Sequence, residues 1–353
     1  MKITYFKVVF LVIICSLLGC SNGISNKYKF ENSKYISFTV TNELTGTGEA
    51  PGTIFESHVF CYDLQTQALS EVGVVPYNSQ YPLTAYDRSE NKIYYSASAM
   101  EGGRMPNSTD QLYSLDLISN ETTKLTSEFY AINYIIPLDE DIILVACPLN
   151  APTLMLFSWS KKTNTISKIS WDEDLTFTNV YYQHDTHHLL AFAYSSSEHQ
   201  YRISHQDIAP YVPLDFEVYN IDWKRKVQEK LFTIQQNAHM TDRIDIESTI
   251  LHDEGIIAKI RERIRDGYYT KTIDCVVKYD FSGNRIDVNR YTEKLEGLTD
   301  FIYITDDERY IYYIKSEGNT LCVYDTLNDM TDVIYEAVFG YSFVNNATVL
   351  SDY

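Results

Sequence analysis

Long hydrophobic segments are absent from this chain of 353 residues. The longest apolar run, Val8 to Leu18, has about a dozen residues, whereas a membrane-spanning helix needs about 20. Basic residues are also few, because 29 lysines and arginines stand against 48 acidic residues and give a net charge of -19. Such an acidic chain disfavours nucleic acid and anionic lipid surfaces as partners, and solubility explains its charge most simply.

Linear signatures of enzymes are missing as well. The chain contains no GxSxG elbow, no HExxH helix and no Walker loop, and the glycine spacing in Gly46 to Gly52 does not fit a dinucleotide fingerprint. No CxxC pair is present to indicate zinc or redox chemistry. From sequence motifs we therefore predict no cofactor, no metal site and no catalytic residue.

Cysteines are few and widely spaced. Two of the six, Cys15 and Cys20, belong to the N-terminal region, and the others are Cys61, Cys147, Cys275 and Cys322. An even count in an exported protein permits disulfides, but this spacing matches no compact disulfide framework. Buried thiols are the favoured interpretation, and disulfide bridges are the alternative.

Residues 1–19 are organised like an export signal. Lys2 and Lys7 precede the short apolar run, which ends in Leu17-Leu18-Gly19-Cys20. This ending resembles the lipobox of bacterial lipoproteins, and the resemblance implies cleavage before Cys20 and acylation of its thiol. The polar residues 20–33 are predicted to be a flexible tether. The alternatives are an ordinary secretory signal with a chance cysteine, or an uncleaved short anchor.

The rest of the chain, residues 34–353, carries one degenerate repeat. Apolar strands alternate with polar turns, and the 30 tyrosines with many Ile, Val and Thr favour strands. Each repeat contains a third strand ending in a short anchor, which in three repeats is a tyrosine followed by an aspartate. The anchors are Tyr62-Asp63, Leu115-Asp116, Ser158-Trp159, Tyr219-Asn220, Tyr279-Asp280 and Tyr324-Asp325. Repeats of about 40 to 60 residues predict an all-β propeller of six four-stranded blades.

The two ends of the repeat region support a closed ring. The first unit starts at its second strand, Tyr35 to Val40, and Val338 to Val344 can supply the missing first strand, which would hide open edges. Thr348 to Leu350 is then left over. The pattern resembles the six-bladed TolB-like propellers, and this resemblance implies recognition or assembly more than catalysis. A seven-bladed ring or a two-domain all-β protein is the alternative.

One histidine-rich segment, His184 to His188, could offer imidazole and carboxylate ligands to a divalent metal. Alignment with the repeat places it in the tight turn between the first and second strands of a unit. Other units have the acidic stretches 139–141 and 306–308 at the same place. A solvated turn is therefore the favoured interpretation.

Loops between second and third strands gather on one face of a propeller, and functional residues tend to lie on loops over a rigid scaffold. Four are predicted to be long, at about 42–57, 98–110, 195–214 and 261–273. The two later loops carry arginine, which binds carboxylates or phosphates, and tyrosine, which supplies flat contact area. The predicted ligand face comprises Tyr201, Arg202, His205, Arg263, Arg265, Tyr268 and Tyr269. Alternatively, the arginines pair with neighbouring acids such as Glu262 and Asp266.

Together these features predict a monomeric propeller held by lipid on the extracytoplasmic side of a bacterial membrane. The favoured function is a non-catalytic binding or scaffold module for a peptide, a glycan or an envelope protein. The alternative is a propeller enzyme, a lyase or hydrolase, whose active site is assembled from the loops between second and third strands. Convergence of titratable groups in the central funnel would discriminate between the two.

Overall fold

The computed structural model describes residues 34–44, 54–77, 79, 81, 83–98, 109–151, 153–183, 186–205, 215–234, 243–252, 255–266, 269–295, 297–315, 319–337 and 343–352. The predicted signal peptide, Cys20 and the tether lie outside these residues. The first twelve strands are β1 (Lys34–Leu44), β2 (Ile54–Asp63), β3 (Leu69–Tyr77), β4 (Thr84–Asp87), β5 (Lys92–Ser98), β6 (Asp110–Asp116), β7 (Glu121–Lys124), β8 (Phe129–Pro137), β9 (Asp141–Pro148), β10 (Met155–Ser160), β11 (Thr165–Lys168) and β12 (Leu175–Gln183).

The described residues of the second half of the chain form twelve more strands and two helices. The strands are β13 (His188–Ser195), β14 (Phe216–Asp222), β15 (Val227–Ile234), β16 (Arg243–His252), β17 (Gly255–Asp266), β18 (Tyr269–Asp280), β19 (Arg285–Asp287), β20 (Leu298–Ile304), β21 (Tyr310–Lys315), β22 (Thr320–Asp325), β23 (Met330–Glu336) and β24 (Phe343–Ser351). The helices are α1 (Ser196–Ser204), between β13 and β14, and α2 (Asn289–Lys294), between β19 and β20.

All 24 strands belong to six antiparallel sheets of four strands, which are the blades of a propeller. Blades 2 to 6 each use four consecutive strands and begin with β4, β8, β12, β16 and β20. Blade 1 combines β24 with β1, β2 and β3. The prediction of six blades closed by both chain ends is confirmed, and the seven-bladed and two-domain alternatives are wrong.

The closing strand lies further along the chain than predicted. β24 pairs with β1 from Lys34↔Ser351 to Thr41↔Phe343, so the closure uses residues 343–351 rather than 338–344. The leftover Thr348 to Leu350 is therefore part of the closing strand, opposite Ser37 to Tyr35. Pairing of the two ends covers an edge that would otherwise be free to bind another strand.

Each third strand ends at a side chain that caps the following turn. Asp63 accepts hydrogen bonds from the backbone N–H of Gln65 (3.0 Å) and Thr66 (2.7 Å), and equivalent caps recur in the other blades. The caps of blades 2 to 6 are Asp116, Ser160, Asp222, Asp280 and Asp325. The anchors of blades 1, 2, 5 and 6 are thus confirmed to the residue, whereas Ser160 and Asp222 lie just after the anchors predicted for blades 3 and 4.

These turns also share a backbone conformation. Four residues after the cap, blades 1, 2, 3, 4 and 6 have a residue with φ between 54° and 59°. Those residues are Gln67, Asn120, Asn164, Lys226 and Asp329. Asparagine tolerates the left-handed region better than most residues, so local turn chemistry repeats even where the sequence of the blades differs.

Apolar side chains fill the spaces between neighbouring blades. Ile142 to Ala146 on β9 are all fully buried, because both faces of the blade are covered and the strand needs no polar side. Phe38 and Phe177 are likewise fully buried. Burial of each such side chain stabilises the fold by roughly 1.5–3 kcal/mol. The propeller is thus held together mainly by this apolar packing between blades.

The turns between first and second strands and those between third and fourth strands lie on one face, here called the turn face. Ion pairs join neighbouring blades there. Arg88 of blade 2 contacts Asp63 of blade 1 and Asp352 beside the closing strand, both at 2.6 Å. Lys161 of blade 3 contacts Asp87 of blade 2, also at 2.6 Å. The opposite face, with the loops between second and third strands, is called the loop face.

The four cysteines of the propeller are free thiols. Cys61, Cys147 and Cys322 are buried and Cys275 is half-buried, which confirms the prediction of thiols over bridges. Burial raises the pKa of the Cys61 thiol to about 11. No helix in the described part of the chain is both long enough and apolar enough to cross a bilayer.

Candidate functional site

The loop predicted at 195–214 in blade 4 begins with a helix. Ser195 Oγ accepts a hydrogen bond from the backbone N–H of Glu198 at 3.1 Å, which is the arrangement of a helix N-cap. The Asp174 carboxylate holds the same end, accepting from the Ser195 hydroxyl at 2.6 Å and from Ser197 N–H at 2.7 Å. Ser195-x-x-Glu198 has the spacing of a capping box, a sequence signal that the loop prediction missed.

Two residues of the predicted ligand face, Tyr201 and His205, lie together at the end of α1. Their rings are stacked, with centroids 4.2 Å apart and planes at 28°. His205 Nδ1 is 2.8 Å from the carbonyl oxygen of Tyr201, so this imidazole caps a carbonyl group in the last turn of the helix. Tyr201 remains 63% exposed. The side chain of Arg202 lies outside the described residues.

The other predicted ligand residues lie on a long hairpin. β17 and β18 stay paired without interruption up to Asp266↔Tyr269, so the prediction of a loop at 261–273 is wrong. Arg263 and Arg265 are strand residues; their side chains, that of Tyr269 and the whole of Tyr268 lie outside the described residues. The alternation of arginines with Glu262 and Ile264 is the period-two signal of a strand.

Two arginines of this blade have identified partners. Arg261 contacts Glu247 at 2.6 Å and Asp274 at 2.8 Å, and Arg285 contacts Glu262 at 2.6 Å. Glu262 is therefore paired with an arginine on another strand of the sheet. For this part of the hairpin the structure favours ion pairing within the blade. The predicted loops at 42–57 and 98–110 fall largely outside the described residues.

The histidine-rich segment occupies the predicted turn. β12 ends at Gln183 and β13 begins at His188, and His187 takes a left-handed φ of 55°. His187 Nδ1 is 2.7 Å from the Tyr182 hydroxyl, while His188 Nδ1 is 3.2 Å from Asn220 Oδ1. His184 and Asp185 are not among the described residues. Within the described part, no three His, Cys, Asp or Glu side chains come together as a metal-binding group.

A different set of residues converges on the central channel. Innermost strands line the channel of a propeller, and here those of blades 3, 4, 5 and 6 all carry a β-bulge against their second strand. After the bulge, one residue of each strand lies at the same level of the ring. These residues are Tyr134, Asn179, Ser248 and Asp300, and with Tyr181 and Thr249 we call them the channel cluster.

Exposure shows which of these side chains reach the channel. Tyr134, Asn179 and Tyr181 are half-buried and Asp300 is exposed, although all four lie on innermost strands that pack against neighbouring blades. Bulges redirect side chains and occur often beside functional sites. The bulges of these four blades therefore direct polar groups into one solvent-accessible space.

Asp300 is the charged member of the channel cluster. The Ser248 hydroxyl donates to Asp300 Oδ1, and the same Ser248 oxygen accepts from the backbone N–H of Phe301 at 2.9 Å. Solvent reaches the Asp300 side chain, but the surrounding blades displace much of its hydration, and this desolvation raises the pKa of the carboxyl to about 6 against the opposing effects of Ser248, Phe301 N–H and Lys259. Within the described part of the chain, no cationic nitrogen lies within 4.0 Å of this carboxylate.

Lys259 on β17 is a cation whose charge acts on Asp300, but its direct contacts are with other groups. Its ammonium contacts Glu247 at 2.8 Å and donates to the carbonyl oxygen of Leu298 at 2.8 Å. Its charge reaches Asp300 only as a weaker long-range effect that lowers the pKa of that carboxyl. Lys259 thus neutralises Glu247 and leaves the channel carboxylate without a direct cationic partner among the described residues.

Tyr134 and Tyr181 lie across the channel from Asp300. The Tyr181 hydroxyl donates to the carbonyl oxygen of Thr249 and lies 2.8 Å from Thr249 Oγ1, which ties blade 4 to blade 5. Burial raises the pKa of Tyr134 and of Tyr181, and the charge of Asp300 raises both further. Both phenols are therefore neutral at physiological pH. Side chains from blades 3, 4 and 6 thus interact electrostatically across the channel.

Comparison with known proteins identifies the fold alone. No protein-family model matches the chain, and no curated protein matches it. Among solved structures, the nidogen/laminin complex contains a chain that is 10% identical with a TM-score of 0.50, covering 90% of this chain and 98% of that one. TolB from Acinetobacter baumannii is 13% identical with a TM-score of 0.50, covering 96% of this chain and 69% of TolB. The chain thus structurally resembles TolB, as the repeat predicted.

Proposed function

We propose that this chain is an exported bacterial lipoprotein, anchored through Cys20, whose propeller binds a peptide, a glycan or an envelope protein without transforming it. The observation that carries the proposal is the channel cluster. Four blades place neutral hydroxyl and amide groups and one carboxylate at a single level of a solvent-accessible channel. Such convergent polar groups on a rigid scaffold are typical of ligand sites.

Recognition accounts for these groups better than catalysis does. Acid–base catalysis requires titratable groups that exchange protons within hydrogen-bond reach of the substrate. The hydrogen-bond partner of Asp300 is a serine hydroxyl, and the two tyrosines that face it stay protonated. His205 caps α1, on the loop side of blade 4. The described residues thus offer fixed donors and acceptors around one carboxylate.

A propeller enzyme, a lyase or hydrolase, is the second candidate function. The observation that favours it is the Asp300 carboxyl, because a pKa of about 6 suits a general base or acid near neutral pH. A reaction of this class would need Tyr134 as the proton donor or a group from the loop face. Asp300→Asn would then abolish turnover of a bound ligand while leaving the ligand bound.

The anchor is tested at Cys20 itself. We expect the full-length protein to incorporate labelled palmitate in a bacterial host and to have an acylated cysteine as its first residue by mass spectrometry. Cys20→Ala should lose the label and accumulate as the longer precursor. Cys15→Ala is the matched control, because it removes a thiol from the same apolar segment and should be labelled normally. Label in the Cys20→Ala protein would contradict lipid attachment at this residue.

Binding in the channel is tested by photo-crosslinking in the same host. A benzoylphenylalanine at Asn179 lies at the channel, whereas one at Ser167 lies exposed on the outermost strand of blade 3. We expect a discrete adduct from position 179 that is absent from position 167, identified as peptide, glycan or protein by mass spectrometry. No adduct at 179, or the same adducts at both positions, would contradict a channel ligand.

A further inference from the structure

We propose that the channel cluster receives a primary ammonium group, as carried by a lysine side chain, with Asp300 as its counter-ion. This inference rests on the proposed function, since it takes the channel to be the ligand site. It adds the chemical class of the group that is bound.

Neighbouring charges support this inference first. Among the described residues, a series of them runs from Asp300 through Lys259, Glu247 and Arg261 to Asp274, with three carboxylates and two cations. The ion pairs are Lys259–Glu247 at 2.8 Å, Arg261–Glu247 at 2.6 Å and Arg261–Asp274 at 2.8 Å. Both cations are committed to Glu247 and Asp274, which leaves Asp300 as the remaining negative charge. One added positive charge completes the group.

The side chains around Asp300 favour a cation over an anion. Asp300 has Ser248 on one side and faces Tyr134 and Tyr181 across the channel. A cation gains from a neutral aromatic ring by cation–π attraction, and from a poorly solvated carboxylate by direct pairing. An anionic ligand would gain neither interaction. An ammonium group has three donors, which match the Asp300 carboxylate and neighbouring hydroxyl oxygens.

Hydrogen bonds hold the channel cluster in place before any ligand binds. The Tyr181 hydroxyl is fixed by Thr249, and the position of Asp300 is fixed by the hydrogen bond from Ser248. Ser248 is in turn held by the backbone N–H of Phe301 at 2.9 Å. These bonds join innermost strands of blades 4, 5 and 6, so the counter-ion requires no movement of the ring to receive a ligand. Prearrangement reduces the cost of binding.

The experiment uses the full-length protein in detergent and three probes. N-acetyl-lysine methylamide carries the ammonium on a peptide side chain, and cadaverine carries it without a peptide. N-acetyl-norleucine methylamide has the same four-carbon side chain as the first probe but lacks the ammonium. We expect the lysine probe to bind with a dissociation constant of ~1 mM by NMR titration and the norleucine probe to bind at least tenfold more weakly. Binding of cadaverine as well would indicate a site for free amines, and its failure a site for lysine within a peptide.

Variants separate the role of Asp300 from that of folding. Asp300→Asn should weaken the lysine probe at least tenfold, whereas Asp300→Glu should retain most binding because it keeps the charge. Asp306→Asn is the control, since it removes an exposed carboxylate from the same blade on the turn face and should leave binding unchanged. Melting temperatures measured alongside show that every variant is folded.

The pH dependence of binding gives an independent check. Among the described residues, the groups that face Asp300 are Ser248 and Lys259 of blade 5 and the phenols of Tyr134 and Tyr181. Burial raises the pKa of both phenols, so they stay neutral between pH 5 and 7. Protonation of Asp300 near pH 6 should therefore weaken the lysine probe about tenfold at pH 5 relative to pH 7.

Two outcomes would overturn the inference. One is equal binding of the lysine and norleucine probes, and the other is unchanged lysine binding by folded Asp300→Asn. Neither outcome would contradict the proposed function, provided that the crosslink from position 179 is still formed. Loss of that crosslink, with or without ammonium binding, would instead remove the proposed function. The two failures are thus distinguishable.

Discussion

Carboxylates on the turn face and in the channel are treated in opposite ways by the same fold. On the turn face, Asp63 is paired with Arg88 at 2.6 Å. Burial alone would raise the pKa of Asp63, but hydrogen bonds from Thr66 and Arg88 hold it below its usual value. In the channel, desolvation raises the pKa of Asp300 to about 6. One carboxylate is stabilised by the fold in its charged form and the other is not.

This difference in pKa indicates different roles for the turn-face carboxylates and for Asp300. Paired charges on the turn face join neighbouring blades and contribute to folding. A carboxylate whose charged form is disfavoured reduces stability at neutral pH, and such groups cluster at functional sites. The proposed ligand would account for the properties of Asp300, which the fold does not explain.

The largest effect is expected from Lys161→Met on the turn face. This substitution leaves Asp87, which is almost fully buried, without its cation, and removal of one partner of a buried pair costs about 3 kcal/mol. Chemical unfolding at pH 7 measures the loss. Lys162→Met is the matched control, because Lys162 is exposed and adjacent. Equal stability of the two variants would show that the turn-face pairs do not support the fold.

Arg88→Met should destabilise the protein by about 2 kcal/mol, because the pairs with Asp63 and Asp352 are only partly buried. The pKa of Asp63 is lowered in the folded state, so its contribution is present above pH 3.8 and is lost as the pH falls through the folded value. The difference between wild type and variant should therefore shrink in acid. A difference that grows in acid would contradict the pairing.

Asp300→Asn should act in the opposite direction and raise stability by about 1 kcal/mol at pH 7, a value reduced for water in the channel. The folded pKa of about 6 exceeds the ordinary 3.8, so the wild-type penalty develops as the pH rises from about 4 to 6. Wild type and Asp300→Asn should unfold alike at pH 4. Destabilisation by Asp300→Asn at pH 7 would mean that the carboxylate serves folding.

The smallest effect is expected from Lys224→Met, which removes an exposed pair with Glu140 at 3.4 Å. Exposed ion pairs contribute about 0–1 kcal/mol, so we expect a loss of less than about 0.5 kcal/mol. The same unfolding assay measures it beside Lys161→Met. A loss as large as that of Lys161→Met would show that burial does not set the value of turn-face pairs.

Local chemistry explains why the fold was predictable from the sequence. An aspartate that caps its own turn, as Asp63 and Asp116 do, leaves the same short pattern in five of the six blades because the interaction spans three residues. The anchors predicted for blades 3 and 4 were slightly misplaced. The cap of blade 3 is a serine, Ser160, and the aspartate cap of blade 4 is Asp222. Closure by the chain ends followed from counting strands, although the closing strand extends to Ser351.

The channel cluster could not be predicted in this way. Tyr134, Asn179, Ser248 and Asp300 share a level only because each follows a bulge, and a bulge is a property of pairing between strands rather than of one strand. Their residue types differ, so no motif marks them. Alignment of the repeats strand by strand would have found the positions without showing that they meet.

The most direct test of the account is the pKa of Asp300 itself, measured by carbon NMR of the labelled carboxyl in the full-length protein and assigned with Asp300→Asn. We predict a value near 6 in the free protein and a lower value when N-acetyl-lysine methylamide is bound. A value at or below 3.8 in the free protein would contradict the account, because Asp300 would then already have a cationic partner.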